Sequence, residues 1–451
     1  MLQAAGRFLA PAVALTALAL SPALGYANTF VLLGLGALAV LVWRIAEPGA
    51  GTAPATAFGG PPLPSSTEED QARVAPLTDG TGSSPVTTGE GGQRSWWRGR
   101  SRAEGLTALL FTLAFGLVVL SALGAMREPA DLLAVIPYVA PLFFLPLARL
   151  FGSRDLDLPR LALLGAAVGL AAAVALRLGL PDKPRAGEGS FITDPYRLAV
   201  TTLVCATLAL GDLFTRARWR WLSLLGLVAA AATIWLTGSR TTLLGVPVLL
   251  FLTALCFVKR PVTIIGLVAG AVALAGAALF IELPGKVRMR LWDVAGSIAR
   301  GETVGDESIS VRIKLWGDGL RDFLDAPLFG HGWGEWMMAP MRARFPADLE
   351  SLHTIQHMHN DLLHYAMAGG VPGLAAWALL LAAPVAGYFT LPREARSRQR
   401  LQAVLVLSLG YLVLGLPDVM LASPAQLTLY VALTAVVLGS GQFNRAIGSG
   451  Q

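Results

Sequence analysis

Charge is what this chain has least of. Only 14% of its 451 residues are Asp, Glu, Lys or Arg, where a soluble domain carries roughly a quarter. A soluble core of this size is excluded on that ground. Cysteine is nearly absent as well. The two present, Cys205 and Cys256, fall inside apolar runs and read as small core residues rather than as a disulfide or a metal pair. The net charge of +6 does not point to nucleic acid, because excess Arg and Lys mark the cytoplasmic loops of membrane proteins.

What the chain has in abundance is apolar residues, 54% of the total, with a mean hydropathy of +0.60. They recur in runs of about 20, the length a helix needs to cross a bilayer. The fold class expected is an all-α integral membrane protein of about twelve transmembrane helices, with one long periplasmic segment between the ninth and tenth.

The expected organisation runs as follows. Residues 1–46 form a transmembrane hairpin, from the runs Phe8 to Leu20 and Phe30 to Val42. Gly25 and Ala27 are spaced as at a signal-peptide cleavage site, but the second run follows at once, so the hairpin is the simpler reading. Residues 47–103 are rich in Pro, Gly, Ser and Thr and read as a disordered cytoplasmic linker. Trp96-Trp97 beside four arginines form an interfacial anchor at its end. Residues 104–283 carry helices three to nine. Residues 284–360 form the long polar segment, 361–441 the last three helices and 442–451 a cytoplasmic tail.

Charge sets the orientation. With the N-terminus inside and the helices alternating, Arg94 to Arg102, Arg149 to Arg160, Arg216 to Arg220, Lys259-Arg260 and Arg393 to Arg400 all fall on the cytoplasmic side. The segment 284–360 then lies outside. No expected span carries a charge near its middle. Ion-coupled transporters relay charge at that depth, so a transporter or non-enzymatic export protein is the weaker reading and chemistry at the outer membrane face the stronger.

Candidate residues cluster on that face. Arg240 follows Gly238-Ser239 in a tight turn, with Ser239 placed to cap the next helix. A cation in a first helical turn opposes the helix dipole unless an anion is shared between them. Arg312 borders an amphipathic stripe of Ile309, Ile313, Trp316, Leu320 and Phe323, at spacings of four, three, four and three. It is either a headgroup-facing arginine or a clamp on a diphosphate, which the guanidinium fork suits. Pro327 ends that helix. The glycines of Gly330-His331-Gly332-Trp333-Gly334 lack the βαβ context of a nucleotide loop and read as a turn at the membrane surface.

Asn360 is placed to cap the helix that starts at Asp361. Outward helix N-termini with Arg240, Arg312 and Arg185 suit an anionic ligand. His359 stands beside them, as an interfacial residue bonded to backbone or as a general base; histidine's ordinary pKa, about 6.5, suits the second role. Trp316, Asn360, His364 and Arg288 are the candidate substrate contacts. His353 and His357 have the spacing of a helical metal pair, but Thr354 stands where a metalloprotease has Glu and no cysteine joins them, so no metal or other cofactor is expected.

In combination these motifs resemble the O-antigen ligase and polymerase superfamily of bacterial membrane glycosyltransferases. The resemblance is carried by Gly238-Ser239-Arg240, by Arg312 to Trp316 running into Asp325-Ala326-Pro327-Leu328-Phe329-Gly330-His331-Gly332, and by His359-Asn360-Asp361-Leu362-Leu363 with Gly370-Val371-Pro372-Gly373. Arg185-Ala186-Gly187 with Asp194 to Ala199 is similar to a fourth, where the family often has Asn-Pro-Asn. It covers about residues 105–440. Ala368 departs from it, since the family often has Glu two residues before the glycine matching Gly370. The resemblance implies transfer of a glycan from an undecaprenyl-diphosphate carrier to an acceptor at the periplasmic face of the inner membrane. The acceptor is a lipid A–core sugar for a ligase and a lipid-linked repeat unit for a polymerase. It further implies an inverting, metal-independent reaction, with His359 as base and Arg240, Arg312 and Arg185 on the leaving diphosphate.

Overall fold

The computed structural model describes residues 90–151, 157–183, 185–190, 193–214, 220–279, 307–344 and 357–440, with the isolated positions Leu32 and Gly34. Every regular element among them is helical: α1 (Glu90–Ala125), α2 (Phe144–Leu150), α3 (Leu158–Gly179), α4 (Pro195–Ala209), α5 (Ser223–Thr237), α6 (Arg240–Phe257), α7 (Pro261–Leu279), α8 (Glu307–Asp325), α9 (Ala339–Arg344), α10 (Asp361–Thr390), α11 (Arg398–Leu405), α12 (Tyr411–Gly415) and α13 (Pro424–Gly439). Short 3₁₀ turns lead into α2, and a π turn, Val406–Gly410, joins α11 to α12.

Six of these helices are long and apolar enough to cross a membrane. A seventh span arises if the bent pair Pro129–Tyr138 and Ala140–Leu150 is one crossing. The all-helical membrane class is as expected, with six or seven candidate spans among the described residues where about twelve were expected of the whole chain. The hairpin 1–46 lies outside the described residues apart from Leu32 and Gly34. The linker boundary shifts: α1 begins at Glu90, so residues 90–103 are helical, while 47–89 lie outside the described residues.

Local sequence sets the helix starts. Asp157, Asp194, Asn360 and Ser397 each accept a hydrogen bond from the backbone N–H three residues on, satisfying a donor with no intrahelical partner. Pro159 and Pro195 stand in the first turn, where a missing N–H costs nothing. Ser239 differs from expectation. It is the residue before α6, but its hydroxyl meets Thr242 Oγ1 at 2.7 Å instead of capping the backbone.

Gly439 abuts Ala148, Gly387 abuts Thr107, Gly211 abuts Gln402, Phe214 stacks on Phe257 and Arg160 lines one pocket with Asp212 and Leu222, contacts that gather Arg102, Arg149, Arg160, Arg220, Lys259, Arg260 and Arg393 to Arg400 at one end of the bundle. Arg185, Arg240, Arg312 and His359 stand at the other. Arg400, fully buried, donates to the carbonyls of Ala395, Val437 and Ser440, so it ties off the end of α13 rather than facing water.

The central helix α10 is broken at Gly370, whose φ of 59° and ψ of −146° are outside the helical region. Pro372 has no N–H for the carbonyl of Ala368. The turn after α8 fills the gap. His331 N–H donates to Met367 O at 2.7 Å, Gly332 N–H to Ala368 O at 3.1 Å, and Val371 N–H to Pro327 O at 2.9 Å. Gly330 has φ +73°, and a Cβ there would stand 2.5 Å from Met367 O. The two glycine-rich motifs are therefore the two halves of one junction, which pins α8 against α10. Trp333 completes it, donating to Ser121 Oγ on α1 at 2.9 Å.

Candidate active site

The site is built where three chain segments meet: residues 357–361 ahead of α10, the face of α8 carrying Arg312, and the loop 416–423 between α12 and α13. The loop is held by Asp361. Its buried carboxylate accepts backbone hydrogen bonds from Met420 at 3.0 Å, Leu421 at 2.8 Å and Ala422 at 3.0 Å. Tyr365 donates to Leu421 O at 3.0 Å from one turn further along α10. These contacts leave the loop little freedom, and Asp418 is delivered to one place.

That place is beside His359. Nδ1 of His359 lies 3.1 Å from Asp418 Oδ1, and Arg312 Nη2 donates to Asp418 Oδ2 at 3.3 Å. His357 Nε2 stands 3.9 Å from Oδ1, with its ring edge-on to that of His359. Burial pushes the Asp418 carboxyl up, but the hydrogen bond from His359 and the charge of Arg312 outweigh it and hold it below the usual carboxylate range. Burial and the neighbouring His359 push His357 down to about 3, so His357 is neutral at physiological pH.

His359 is the one non-glycine residue with positive φ among the described residues, at 46°. Such a conformation persists only where its surroundings enforce it, and it often marks a functional position. Trp316 supplies part of that enforcement, donating its indole N–H to the carbonyls of Met358 and His359, each at 3.2 Å. Asp418 on Nδ1 favours the tautomer with the proton on that nitrogen, which leaves Nε2 as an acceptor.

The arginines form a second group. Arg185 donates through Nε to Thr237 O at 2.8 Å, which places it against the turn that presents Arg240 as the first residue of α6. Burial draws the Arg185 pKa down, Glu188 opposes that, and the positive charges of Arg240 and Arg312 add to it. The three guanidinium groups thus share one electrostatic field. Like charges gathered at helix ends favour an anion between them.

Not every candidate is brought in. Asn360 uses its side-chain carbonyl as the cap of α10, accepting from Leu363 N–H at 3.0 Å. His364 is buried in an aromatic cluster with Trp333 and Tyr365, its Nε2 3.1 Å from the Tyr138 hydroxyl. Arg288 and His353 lie outside the described residues. Asp418 was missed by the sequence reading, although a signal existed: it is the sole charged residue between Leu401 and Ser440.

His357, His359 and Asp418 offer ligand atoms within 4.8 Å of one another, so a cation is geometrically conceivable. Arg312 already occupies the same carboxylate, and a metal would have to sit against its charge.

Fold and site together define a polytopic helical membrane protein with a histidine–carboxylate pair and a group of arginines at the ends of its spanning helices. Comparison with known proteins narrows this. Residues 225–378 match the O-antigen ligase family. An O-antigen ligase of Pseudomonas aeruginosa is 30% identical over 161 residues, covering 36% of this chain and 33% of that protein. Both matches are to the family that the motifs resemble, and the chain spans about a third of the length of that relative. The family match encloses Arg240, Arg312 and His359 and stops short of Asp418.

Proposed function

We propose that this protein transfers a glycan from an undecaprenyl-diphosphate carrier to an acceptor hydroxyl, the hydroxyl being on a lipid A–core sugar, at the periplasmic face of the bacterial inner membrane. The observation that carries the reading is that His359 and Arg312 share the carboxylate of Asp418 beside two further arginines. The basic clusters at the opposite end of the bundle support a periplasmic position for the site.

The chemistry is a direct displacement. The acceptor oxygen attacks the anomeric carbon and its proton passes to Nε2 of His359. The bond from that carbon to the phosphate oxygen breaks, and undecaprenyl diphosphate leaves with the electron pair. One displacement inverts the anomeric centre. Negative charge grows on the leaving group, so preplaced arginines stabilise the transition state more than the ground state. Asp418 orients the ring and balances the imidazolium that forms, as carboxylates do beside catalytic histidines elsewhere. The arginines take the charge-neutralising part that a metal plays in other transferases, and the reaction is metal-independent.

The test is a deletion strain complemented with wild type or His359→Ala, with surface glycans and lipid-linked intermediates separated by size. Long chains that pile up on the carrier and vanish from the surface lipid identify a ligase. Single repeat units that still reach the surface while long chains disappear identify a polymerase and overturn the acceptor named here. Unchanged pools contradict glycosyl transfer altogether.

A further inference from the structure

The face of α8 turned away from the bundle is apolar. The buried face of this helix is Leu315, Gly319 and Asp322, packed towards α10 and held by Arg344, which pairs with Asp322 and with Asp318. On the opposite face Ile313, Leu320 and Leu324 are exposed, at 40%, 53% and 65%. On a helix of 3.6 residues per turn these three fall within about 40° of one another. Arg321 and Asp325 stand on the polar edge of this stripe, and Trp316 and Phe323 on its other edge. The sequence stripe of Ile313, Trp316, Leu320 and Phe323 is thus real, but its centre faces outward rather than into the protein.

The depth of this face can be read from its neighbours. Ser121 of α1 is bonded to Trp333 and lies against Gly369 of α10, and Gly124 abuts Phe329. The end of α8 is therefore level with the last turn of the spanning part of α1. Pro327 bonds to Val371. Leu328 and Val371 are both exposed, as are Leu120 and Leu123 on α1. The end of the stripe thus lies beside exposed apolar residues of α1 and α10, helices long and apolar enough to cross a membrane.

We propose that α8 is an interfacial helix whose Ile313–Leu320–Leu324 face, continued by Leu328, seats in the bilayer at the boundary between headgroups and acyl chains, on the leaflet that borders the site. The occupant is phospholipid. Continuity with the lipid-facing belt argues for it, and so does the arrangement of the edge: Arg321 lies where a side chain with an apolar stem and cationic head reaches lipid phosphate. The consequence is geometric. Arg312 sits near the start of this helix and is fixed at headgroup depth, the level at which a lipid-anchored phosphate group resides. This goes beyond the transfer reading and stands or falls separately from it.

The test uses the full-length protein in vesicles of phosphatidylethanolamine and phosphatidylglycerol. Cys205 and Cys256 are replaced by alanine, and single cysteines are placed by Leu320→Cys, Leu324→Cys and, as the polar-edge control, Arg321→Cys. Each carries an environment-sensitive fluorophore. The expected result is blue-shifted emission at 320 and 324, quenched severalfold more by a nitroxide lipid labelled on the upper acyl chain than by a water-soluble quencher, with the order reversed at 321. Quenching of 320 and 324 mainly from water overturns the proposal. Protection from both quenchers overturns it too, because another protein segment or a second copy then covers the face.

Discussion

Asp418 Oδ1 and His359 Nδ1 lie 3.1 Å apart, from positions separated by 59 residues in the chain. The pair exists because Asp361, two residues after His359, binds the loop that carries Asp418. The histidine and the carboxylate beside it are thus locked into one unit at the head of α10.

Asp418→Asn tests the pair. The amide keeps the size of the side chain but removes the charge that balances an imidazolium and disturbs the tautomer of His359. Turnover is expected to fall on the order of 10²–10⁴-fold, with expression and membrane insertion close to wild type. Unchanged turnover in a reconstituted transfer assay removes Asp418 from the mechanism.

Asp361→Ala acts through structure. It leaves three backbone N–H groups of residues 420–422 without their acceptor, at about 1–3 kcal/mol for each buried donor left unpaired. The variant is expected to melt well below wild type and to lose activity, because Asp418 is no longer held. Wild-type melting in nanodiscs would show that the loop is secured by other contacts.

Gly370→Ala tests the junction between α8 and α10. The position has φ 59°, and a Cβ would stand 2.6 Å from Pro327 O. Left-handed strain costs of order 1–3 kcal/mol, and the backbone overlap adds to it. Loss of Tm is expected here, whereas Gly116→Ala, where a Cβ meets nothing within 4 Å, leaves Tm near wild type or raises it.

Acid is expected to destabilise the site in two windows. His357 is held down to about 3 from an ordinary 6.5. As pH falls below about 6.5 the unfolded chain takes up that proton and the folded chain does not, so this group makes stability rise with pH between about 3 and 6.5. Asp418 is depressed below 3.8, so its stabilisation is present above that value and is lost as pH falls through the lower folded pKa. His357→Gln removes only the first slope. Melting curves between pH 7 and 5 should therefore be flatter for that variant than for wild type, and equal slopes would contradict a neutral His357.

Much of this architecture is written in local sequence. Asn360 announces a helix start because a cap is a contact three residues long. His359, Arg312 and Arg240 announce themselves as polar groups at the edges of apolar runs. Asp418 does not, because its meaning depends on a loop folding back onto Asp361, and that is a contact between distant segments. Ser239 has the residue type of a cap, yet Thr242 takes its hydroxyl instead. His364 looks like a neighbour of His359 in the motif. Five residues of helix turn it into the aromatic cluster around Trp333. The outward face of α8 was legible as a stripe but not as to direction, which the junction at Gly370 decides.

The most direct test of the central claim is transfer by purified protein in vesicles, with a polyprenyl-diphosphate-linked glycan as donor and a lipid A–core acceptor. Wild type, His359→Ala and Arg312→Ala are compared at equal membrane insertion, reading acceptor glycosylation and released polyprenyl diphosphate together. The prediction is that wild type forms both products in equal amounts and that each variant forms neither to a detectable level. Transfer by His359→Ala at the wild-type rate would contradict the assignment of the general base, and with it the mechanism.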